Sequence, residues 1–195
     1  MKKRILVIGI TMAAAGSEKS FLSFANTIDY EKYDVDLLLA RKTGDFLPLV
    51  PEKIRILEMG ALGELFEIDR KNARDIIMRK YLLKNPFRGF GLFSHLVKIK
   101  RAKNPERRSF AANRMWLSMM EKMPDFPGEY DIALAYWGDR TMFYMIDKVR
   151  AKRKIAWLHF DYSRPPREDA LYLAYFQKCD KVVTVSAEIE KSLKS

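Results

Sequence analysis

The sequence predicts an α/β chain with one doubly wound, mainly parallel sheet and flanking helices. Short apolar runs rich in Val, Ile and Leu recur six times, and helical patterns alternate with them. Several runs are apolar at consecutive positions, as strands covered on both faces are. The 195 residues are 48% hydrophobic, and no linker rich in Gly, Ser or Pro divides them. We therefore expect a single domain.

The first half of the chain supplies three of the six expected strands. The first strand, over 4–9, is a continuous apolar run, and a helix over 17–28 follows it with Ser17 as a suitable N-cap. The second strand is expected over 33–40 and a short third strand over 54–57. The apolar face of the helix consists of Phe21, Leu22, Phe24, Ala25 and Ile28, at helical spacing.

The second half repeats this alternation after a long insertion. Residues 60–125 are expected to be mostly helical, with breaks at Pro86 and Pro105. The remaining strands are expected over 131–136, 154–158 and 181–185. The helices are expected over 139–151, from the pair Pro165-Pro166 to residue 178, and over 187–194, the last one capped by Ser186.

The positive charge of the chain is concentrated in one segment. The formal net charge is +11, and residues 70–115 hold 14 Lys and Arg against 2 Asp and Glu, so the remainder is close to neutral. Such asymmetry favours an anionic partner: a membrane surface, a phosphorylated ligand or nucleic acid. Nucleic acid is not expected, because no recognition motif accompanies the charge. A surface that serves only solubility is the alternative.

The cysteine usage and hydropathy favour a cytoplasmic protein, and a peripheral position on the inner face of the membrane stays open. Cys179 is the single cysteine, so neither an internal disulfide nor a cysteine metal knuckle can form. It lies just before an expected apolar strand, so we expect its thiol to be packed near the core and unreactive. No apolar stretch approaches the roughly 20 residues needed to cross a bilayer.

The loop after the first strand lacks the known phosphate-binding fingerprints. Thr11 stands where the pattern G-x-G-x-x-G requires its second glycine, and Ser17-Glu18 follows Gly16 where a P-loop has Lys-Ser or Lys-Thr. Small residues nevertheless lead into the helix over 13–17, and a helix N-terminus attracts anions. The residues alone leave two interpretations open: contact with a diphosphate, or a tight strand–helix turn.

Five segments together resemble the N-terminal domain of family 4 (group 1) glycosyltransferases. The loop and helix AAAGSEKSFLSFANTI resemble the family's G-G-x-E-[KR] signature and the helix after it. Four further segments resemble the family's later strand regions in the same order: YEKYDVDLLLA, YDIALAYWGDRT, KIAWLHFDY and CDKVVTVSAEIEKSL. The resemblance covers most of the chain and is weakest over 60–125. Ala15-Gly16 departs from the family's glycine pair, and a methyl group at Ala15 could limit backbone approach to a diphosphate.

The resemblance implies a Rossmann-like half of a GT-B fold, namely the acceptor-side domain over 1–195 with the helical segment 60–125 inserted in it. It implies retaining transfer of a hexose from a nucleotide-sugar donor to a glycan or lipid-linked acceptor (class EC 2.4). Synthesis of bacterial surface polysaccharide is the expected context. The nucleotide sugar is a substrate, and neither a cofactor nor a metal is expected.

The resemblance also implies that a second domain is needed. In this family a C-terminal domain holds most of the donor through an E-x7-E motif. Glu121 and Glu129 match that spacing, but Pro124, Pro127 and Gly128 lie between them, so they cannot share a regular helix face. We reject this match. The donor-binding domain is expected to be absent from these 195 residues, which alone should be inactive.

Several residues at the ends of the expected strands are candidates for the site. By the resemblance, His159 could hydrogen-bond the donor sugar or position the acceptor, and Ala15, Gly16 and Ser17 would meet the donor diphosphate. A structural histidine that bonds a loop carbonyl is the alternative for His159. His95, in the basic segment, is expected to be structural or solvated.

The residues after the second, fourth and fifth strands suit sugar or phosphate recognition. The ring of Trp137 could cover sugar C–H groups, and the carboxylates of Asp139 and Asp161 could accept hydroxyl protons. A helix N-cap is an equally good role for Asp139. Arg41 could meet a phosphate or be solvated.

The basic segment 70–115 has two functional interpretations and one structural one. Its apolar residues are Phe87, Phe90, Leu92, Phe93, Leu96, Val97 and Ile99. Beside Lys and Arg, they could dock on an anionic membrane where lipid-linked acceptors reside. The chain could instead be a non-catalytic Rossmann-like module that binds an anionic membrane or partner. In the structural interpretation, the apolar side only packs on the sheet.

Overall fold

The computed structural model describes residues 2–67, 86–121, 123–162 and 165–194, without the side chains of 61, 62, 86–93 and 194. The strands of this part are β1 Lys3–Gly9, β2 Tyr33–Leu39, β3 Ile54–Glu58, β4 Glu129–Ala135, β5 Arg150–Leu158 and β6 Lys181–Thr184. The α-helices are α1 Gly16–Ala25, α2 Pro86–Arg101, α3 Pro105–Met120, α4 Asp139–Lys148, α5 Asp169–Phe176 and α6 Ala187–Lys194. Short 3-10 helices cover Leu47–Leu49 and Gly60–Leu65.

The six described strands form one sheet in the order β3-β2-β1-β4-β5-β6, and every pairing is parallel. The strand β1 pairs with β2 on one side, where Ile5 lies opposite Val35, and with β4 on the other, where Ile5 lies opposite Ile132. The order therefore reverses direction at β1. The prediction of an α/β doubly wound parallel sheet is confirmed.

Each face of the sheet carries its own core. On one face, Phe21 and Ala25 of α1 pack with Val7, Leu37 and Leu39. On the other face, α3, α4 and α5 contribute Trp116, Phe143 and Tyr172 to a larger core. Parallel strands need such cover on both sides, which explains their runs of consecutive buried residues.

The observed element bounds correct several expectations. The strand β5 starts at Arg150, four residues before the expected start, because it pairs with β4 from Glu129 onward. The helix expected from Pro165-Pro166 begins only at Asp169. Pro105 begins α3 rather than only breaking a helix, and the Asn104 side chain caps that helix by accepting a hydrogen bond from the Arg107 amide.

The basic segment 70–115 is described only from residue 86 onward, so its first part, and the side chains of Phe87, Phe90, Leu92 and Phe93, lie outside the described residues. Leu96 and Ile99 pack against the larger core. This packing agrees with the structural interpretation for the second half of α2. Among the described residues, no helix has the length and apolar character needed to cross a membrane.

Candidate functional site

The carboxyl edge of the sheet holds the residues singled out from the sequence. The chain leaves β1 into α1 on one face and leaves its neighbour β4 into α4 on the other. Such a change of direction opens a crevice in which α/β proteins bind ligands. Ala15 to Ser17 follow β1, Trp137 and Asp139 follow β4, and His159 and Asp161 follow β5.

The loop after β1 is held by the loop after β2. The Met12 amide donates a hydrogen bond to the Thr43 carbonyl at 2.8 Å, and the Phe46 amide donates to the Met12 carbonyl at 2.9 Å. Gly44 has φ of +123°, and a Cβ there would lie 2.1 Å from the Met12 carbonyl carbon. Glycine is therefore required at this position. These contacts fix the approach to α1 in one conformation.

The N-terminal end of α1 is exposed at Ala15 and Gly16 and carries no side-chain cap. Ala15 is the N-cap in extended conformation, without a side-chain hydrogen bond. The expectation that Ser17 is the N-cap is wrong, because Ser17 lies inside the first turn and its hydroxyl donates to Glu18 Oε2 at 2.5 Å. Ala15 and Gly16 are exposed, and a Cβ on Gly16 would meet nothing within 4 Å. A ligand can approach the backbone here.

Glu18, which the sequence reasoning did not select, is buried in this first turn with 5% of its surface exposed. Its only sequence signal is its place in the segment that resembles the G-G-x-E-[KR] signature. An acidic residue in the first turn of a helix is ordinarily expected to be solvated and to interact favourably with the helix dipole. The burial of Glu18 arises from tertiary packing, which local sequence does not specify.

The ring of Tyr136 connects α1 to His159. The Tyr136 hydroxyl and Ser20 Oγ lie 2.9 Å apart in a hydrogen bond. The ring centroids of Tyr136 and His159 are 4.6 Å apart, and the His159 ring is stacked on that of Trp157 at 6.3 Å. These contacts place the imidazole of His159 at the edge of the sheet beside the first turn of α1.

The surroundings of His159 favour the neutral form of its imidazole. Burial lowers the pKa of the imidazole, and the negative charge of Glu18 raises it by less. The Nε2 atom is buried and has no hydrogen-bond partner among the described residues. A neutral imidazole can donate one hydrogen bond and accept another, so His159 has the chemistry needed to bind a hydroxyl group.

Trp137 and Asp139, predicted for sugar recognition, both make internal contacts. The Trp137 ring packs on Phe21 at 5.2 Å between centroids, and a Cβ on Gly9 would approach it to 2.9 Å. The N-cap alternative for Asp139 is wrong, because the N-cap of α4 is Gly138. Asp139 Oδ2 instead accepts hydrogen bonds from the Tyr172 hydroxyl at 2.5 Å and from Arg167 Nε at 3.3 Å.

Arg167 organises the loop after β5. Its side chain is 4% exposed, and its Nη1 donates to the main-chain carbonyls of Asp161, Tyr162 and Pro165 at 2.6–3.1 Å. The guanidinium also lies over the Phe160 ring, 4.2 Å from its centroid. These bonds hold the Asp161 backbone in place two residues after His159.

The other residues named from the sequence make contacts of their own. Arg41 forms an ion pair with Glu67 at 2.7 Å. Ser186 caps α6, as expected, by accepting a hydrogen bond from the Ile189 amide at 3.3 Å. Burial raises the pKa of the Cys179 thiol to about 11, which suits the expected inert role. His95 is half-buried on α2.

The structure separates the two glutamates that match the E-x7-E spacing. Glu121 lies at the C-terminal end of α3, and Glu129 begins β4. They share no helix, so the rejection of this match is confirmed.

Comparisons with known proteins add little to these observations. No protein-family model matches the chain, and no curated protein matches it. Among solved structures, it is similar to the crystal structure of TcCGT1 in complex with UDP, at 12% identity and a TM-score of 0.33. The match covers 84% of this chain and 30% of that one. A similarity of this size supports no statement about family or function.

Proposed function

We propose that this chain is the acceptor-side half of a two-domain, GT-B-type glycosyltransferase related to family 4. The full enzyme would transfer a hexose, with retention, from a nucleotide sugar to a glycan or lipid-linked acceptor, as in bacterial surface polysaccharide synthesis. One observation carries the proposal. The exposed N-terminal end of α1 and His159 are neighbours at the carboxyl edge of the sheet, where the strand order reverses. The order of the family-like segments along the chain supports it.

Six of the candidate residues have a role in this proposal. The exposed backbone of Ala15 and Gly16, with Ser17, approaches the donor diphosphate at the positive end of α1. Neutral His159 hydrogen-bonds a sugar hydroxyl at the reacting end of the donor. Asp161 and Trp137 shape the edge beside it. Direct front-face transfer requires no protein nucleophile, so none is assigned.

The donor would be held mainly by a second domain that these 195 residues do not include. The experiment is to sequence the gene beyond the codon of Ser195. A continuation of about 100–200 residues with a second α/β pattern and an E-x7-E segment is the expected result. A stop codon at that point overturns the proposal of an enzyme half and favours a binding module.

The role of His159 is tested in the complete enzyme by His159→Ala. We expect turnover to fall on the order of 100-fold or more with the fold retained, because removal of one positioned hydrogen-bonding group from an active site costs about that much. His95→Ala is the matched control, since His95 is the other histidine and lies on α2. Near-normal turnover of His159→Ala removes this residue from the mechanism.

A second candidate function, docking on an anionic membrane surface, is favoured by one observation. Around the turn between α2 and α3, five basic side chains are exposed and form no ion pair with any described residue: Lys98, Lys100, Arg101, Lys103 and Arg107. Such a cluster attracts anionic headgroups, by about 1 kcal/mol for each basic residue near the surface.

Vesicle sedimentation at low salt tests the membrane proposal. Phosphatidylserine vesicles should bind the chain, and phosphatidylcholine vesicles should not. Replacing Lys98, Lys100 and Arg101 by Glu should abolish binding, whereas replacing Lys3, Lys181 and Lys191 by Glu, with the same change in net charge, should leave most of it. Equal binding to both vesicle types, or equal loss in both variants, contradicts a membrane site at this turn.

A further inference from the structure

Glu18 differs from the other buried polar residues of the described part of the chain. Asp36, Thr141 and Arg167 are the remaining members of that group. Asp36 has Arg55 as an ion-pair partner, Arg167 has Asp139, and Thr141 donates to the Gly138 carbonyl at 2.7 Å.

Glu18 has only the hydroxyl of its neighbour Ser17, and no described cation lies within ion-pair distance of it. A carboxylate has about four acceptor positions, so most of the hydrogen-bonding capacity of Glu18 is unused.

Unused donors gather at the same edge of the sheet. Within the described residues, three buried side-chain nitrogens lack a hydrogen-bond partner: Trp137 Nε1, Trp157 Nε1 and His159 Nε2. All three rings surround Tyr136, with centroids 5.1, 5.0 and 4.6 Å from its own. The side chains themselves are partly exposed. Buried polar groups in native proteins are nearly always paired, so this concentration needs an explanation.

The first turn of α1 and the aromatic rings form one surface. Phe21 of α1 packs on Trp137 at 5.2 Å, and Phe24 packs on Trp157 at 5.6 Å between centroids. Ser20 bonds the Tyr136 hydroxyl. The negative charge of Glu18 raises the pKa of the His159 imidazole, so the two side chains interact electrostatically. An unused acceptor and unused donors are thus brought together by the packing of α1 on β4 and β5.

A ligand that satisfies both sets must donate and accept hydrogen bonds. Hydroxyl groups do both, because each has one donor hydrogen and two acceptor lone pairs. Phosphate groups at pH 7 offer almost only acceptors, so they have no hydrogen to donate to the Glu18 carboxylate. We propose that Glu18 is a sugar-binding residue, which accepts a hydrogen bond from one hydroxyl of a bound sugar while His159 bonds another.

This inference rests on the proposed function and refines it. Glu18 selects the neutral, hydroxyl-bearing part of the nucleotide sugar. The exposed backbone of Ala15 and Gly16, two and three residues before Glu18, remains for the diphosphate. The Glu18 carboxylate accepts from the sugar hydroxyl, and the free backbone amides at the start of α1 donate to the diphosphate.

The first arm of the test is a titration that needs no ligand. The chain has two histidines, His95 and His159, so carbon-13 NMR of labelled imidazoles resolves both, and His95→Asn assigns them. Because the charge of Glu18 raises the pKa of His159, Glu18→Gln should lower it further. Glu52→Gln, an exposed control, should leave it unchanged. An unchanged pKa in Glu18→Gln overturns the inference and leaves the proposed function standing.

The second arm uses sugars and inorganic diphosphate as probes. Methyl glycosides of glucose, galactose, mannose and N-acetylglucosamine, at roughly 100 mM because single-sugar binding is weak, should shift the His159 signal of the wild-type chain. Glu18→Gln should weaken this response at least tenfold and strengthen any response to diphosphate. If diphosphate but no glycoside shifts the signal in the wild type, the assignment to hydroxyl groups is overturned.

A conservative variant keeps the test decisive if Glu18→Gln does not fold. Glu18→Asp retains the charge and so should retain the pKa of His159, but it withdraws the carboxylate by one methylene. Glycoside binding should therefore fall while the titration stays close to that of the wild type. Full glycoside binding by Glu18→Asp contradicts a direct contact between Glu18 and the sugar.

Discussion

Asp36, in the middle of β2, and Glu18, in the first turn of α1, are carboxylates of similar burial, 6% and 5% exposed. Asp36 accepts two hydrogen bonds from Arg55, at 2.8 and 2.7 Å, and one from the Tyr130 hydroxyl at 2.7 Å. At the carboxyl edge, Glu18 receives one from its neighbour Ser17.

The difference shows which buried charge serves the fold. Asp36 joins β2, β3 and β4 through its partners, and the Arg4 guanidinium lies over the Tyr130 ring, 4.5 Å from its centroid. A paired charge of this kind specifies how strands associate. Glu18 joins no strands by a hydrogen bond. Proteins retain such unpaired polar groups mainly at functional sites, where stability is given up for binding.

The largest loss of stability is expected from Arg167→Met. Arg167 is a buried charge at the carboxyl edge that is fully paired. The lack of an ion-pair partner is therefore particular to Glu18 and is not a general property of this edge. Removing the guanidinium leaves three carbonyls and Asp139 without this donor, and we expect about 3–4 kcal/mol less unfolding free energy. Urea unfolding measures it, with exposed Arg107→Met as control. A loss below about 1 kcal/mol would show that the loop after β5 does not depend on Arg167.

The next largest loss is expected from Asp36→Asn. An amide cannot form the two-point ion pair with Arg55, although Arg55 is itself exposed enough to recover water. We expect a loss of about 2–3 kcal/mol in urea unfolding. Asp34→Asn, on the same strand but exposed, is the control and should cost less than about 0.5 kcal/mol. Equal losses in Asp36→Asn and Asp34→Asn would show that the hydrogen bonds of Asp36 add no special stability. Asp36 would then not differ from Glu18 in its role in the fold.

A smaller effect is expected in the acid range. Burial alone would raise the pKa of Asp36, but the hydrogen bonds from Arg55 and Tyr130 and the charges of Arg55 and Arg4 outweigh burial and lower it. A lowered carboxyl pKa contributes stability above the unfolded value of about 4, and this is lost as the pH falls through the folded pKa. The difference in stability between wild type and Asp36→Asn should be constant above about pH 5 and narrow below about pH 4.

The smallest change is expected from Glu18→Gln. Glutamine keeps an acceptor for Ser17 and removes a buried charge that has no cationic partner, so the unfolding free energy should stay within about 1 kcal/mol of wild type. Urea unfolding at pH 7 checks this beside Asp36→Asn. A loss above about 2 kcal/mol would mean that Glu18 stabilises the fold as Asp36 does, and the functional contrast would fail.

The six strands follow well from the sequence because parallel strands covered on both faces are apolar at consecutive positions. Val7, Leu37 and Ala133 are examples. Helix starts were predicted less well. Ser17 was an obvious cap by residue type, but the chain enters α1 at Ala15. The helix expected from Pro165 starts later because the residues before Asp169 are held by Arg167.

The side-chain partners of the site could not be predicted. Asp139 looks like an N-cap locally, yet its partners are Arg167 and Tyr172, which are 28 and 33 residues away along the chain. His159 was found through the family resemblance and its place after a strand. Glu18 was missed because its burial arises from tertiary packing, which residue spacing within α1 does not encode.

The aromatic cluster around Tyr136 also has an optical consequence. The chain has three tryptophans, and two of them, Trp137 and Trp157, lie against this ring. Trp157 is stacked on His159 with an angle of 13° between the rings. Imidazolium quenches indole fluorescence far more than neutral imidazole does, so the emission of the unlabelled chain should report both the protonation of His159 and the arrival of a ligand beside it. Trp116, on α3, supplies the steady background against which that signal is read.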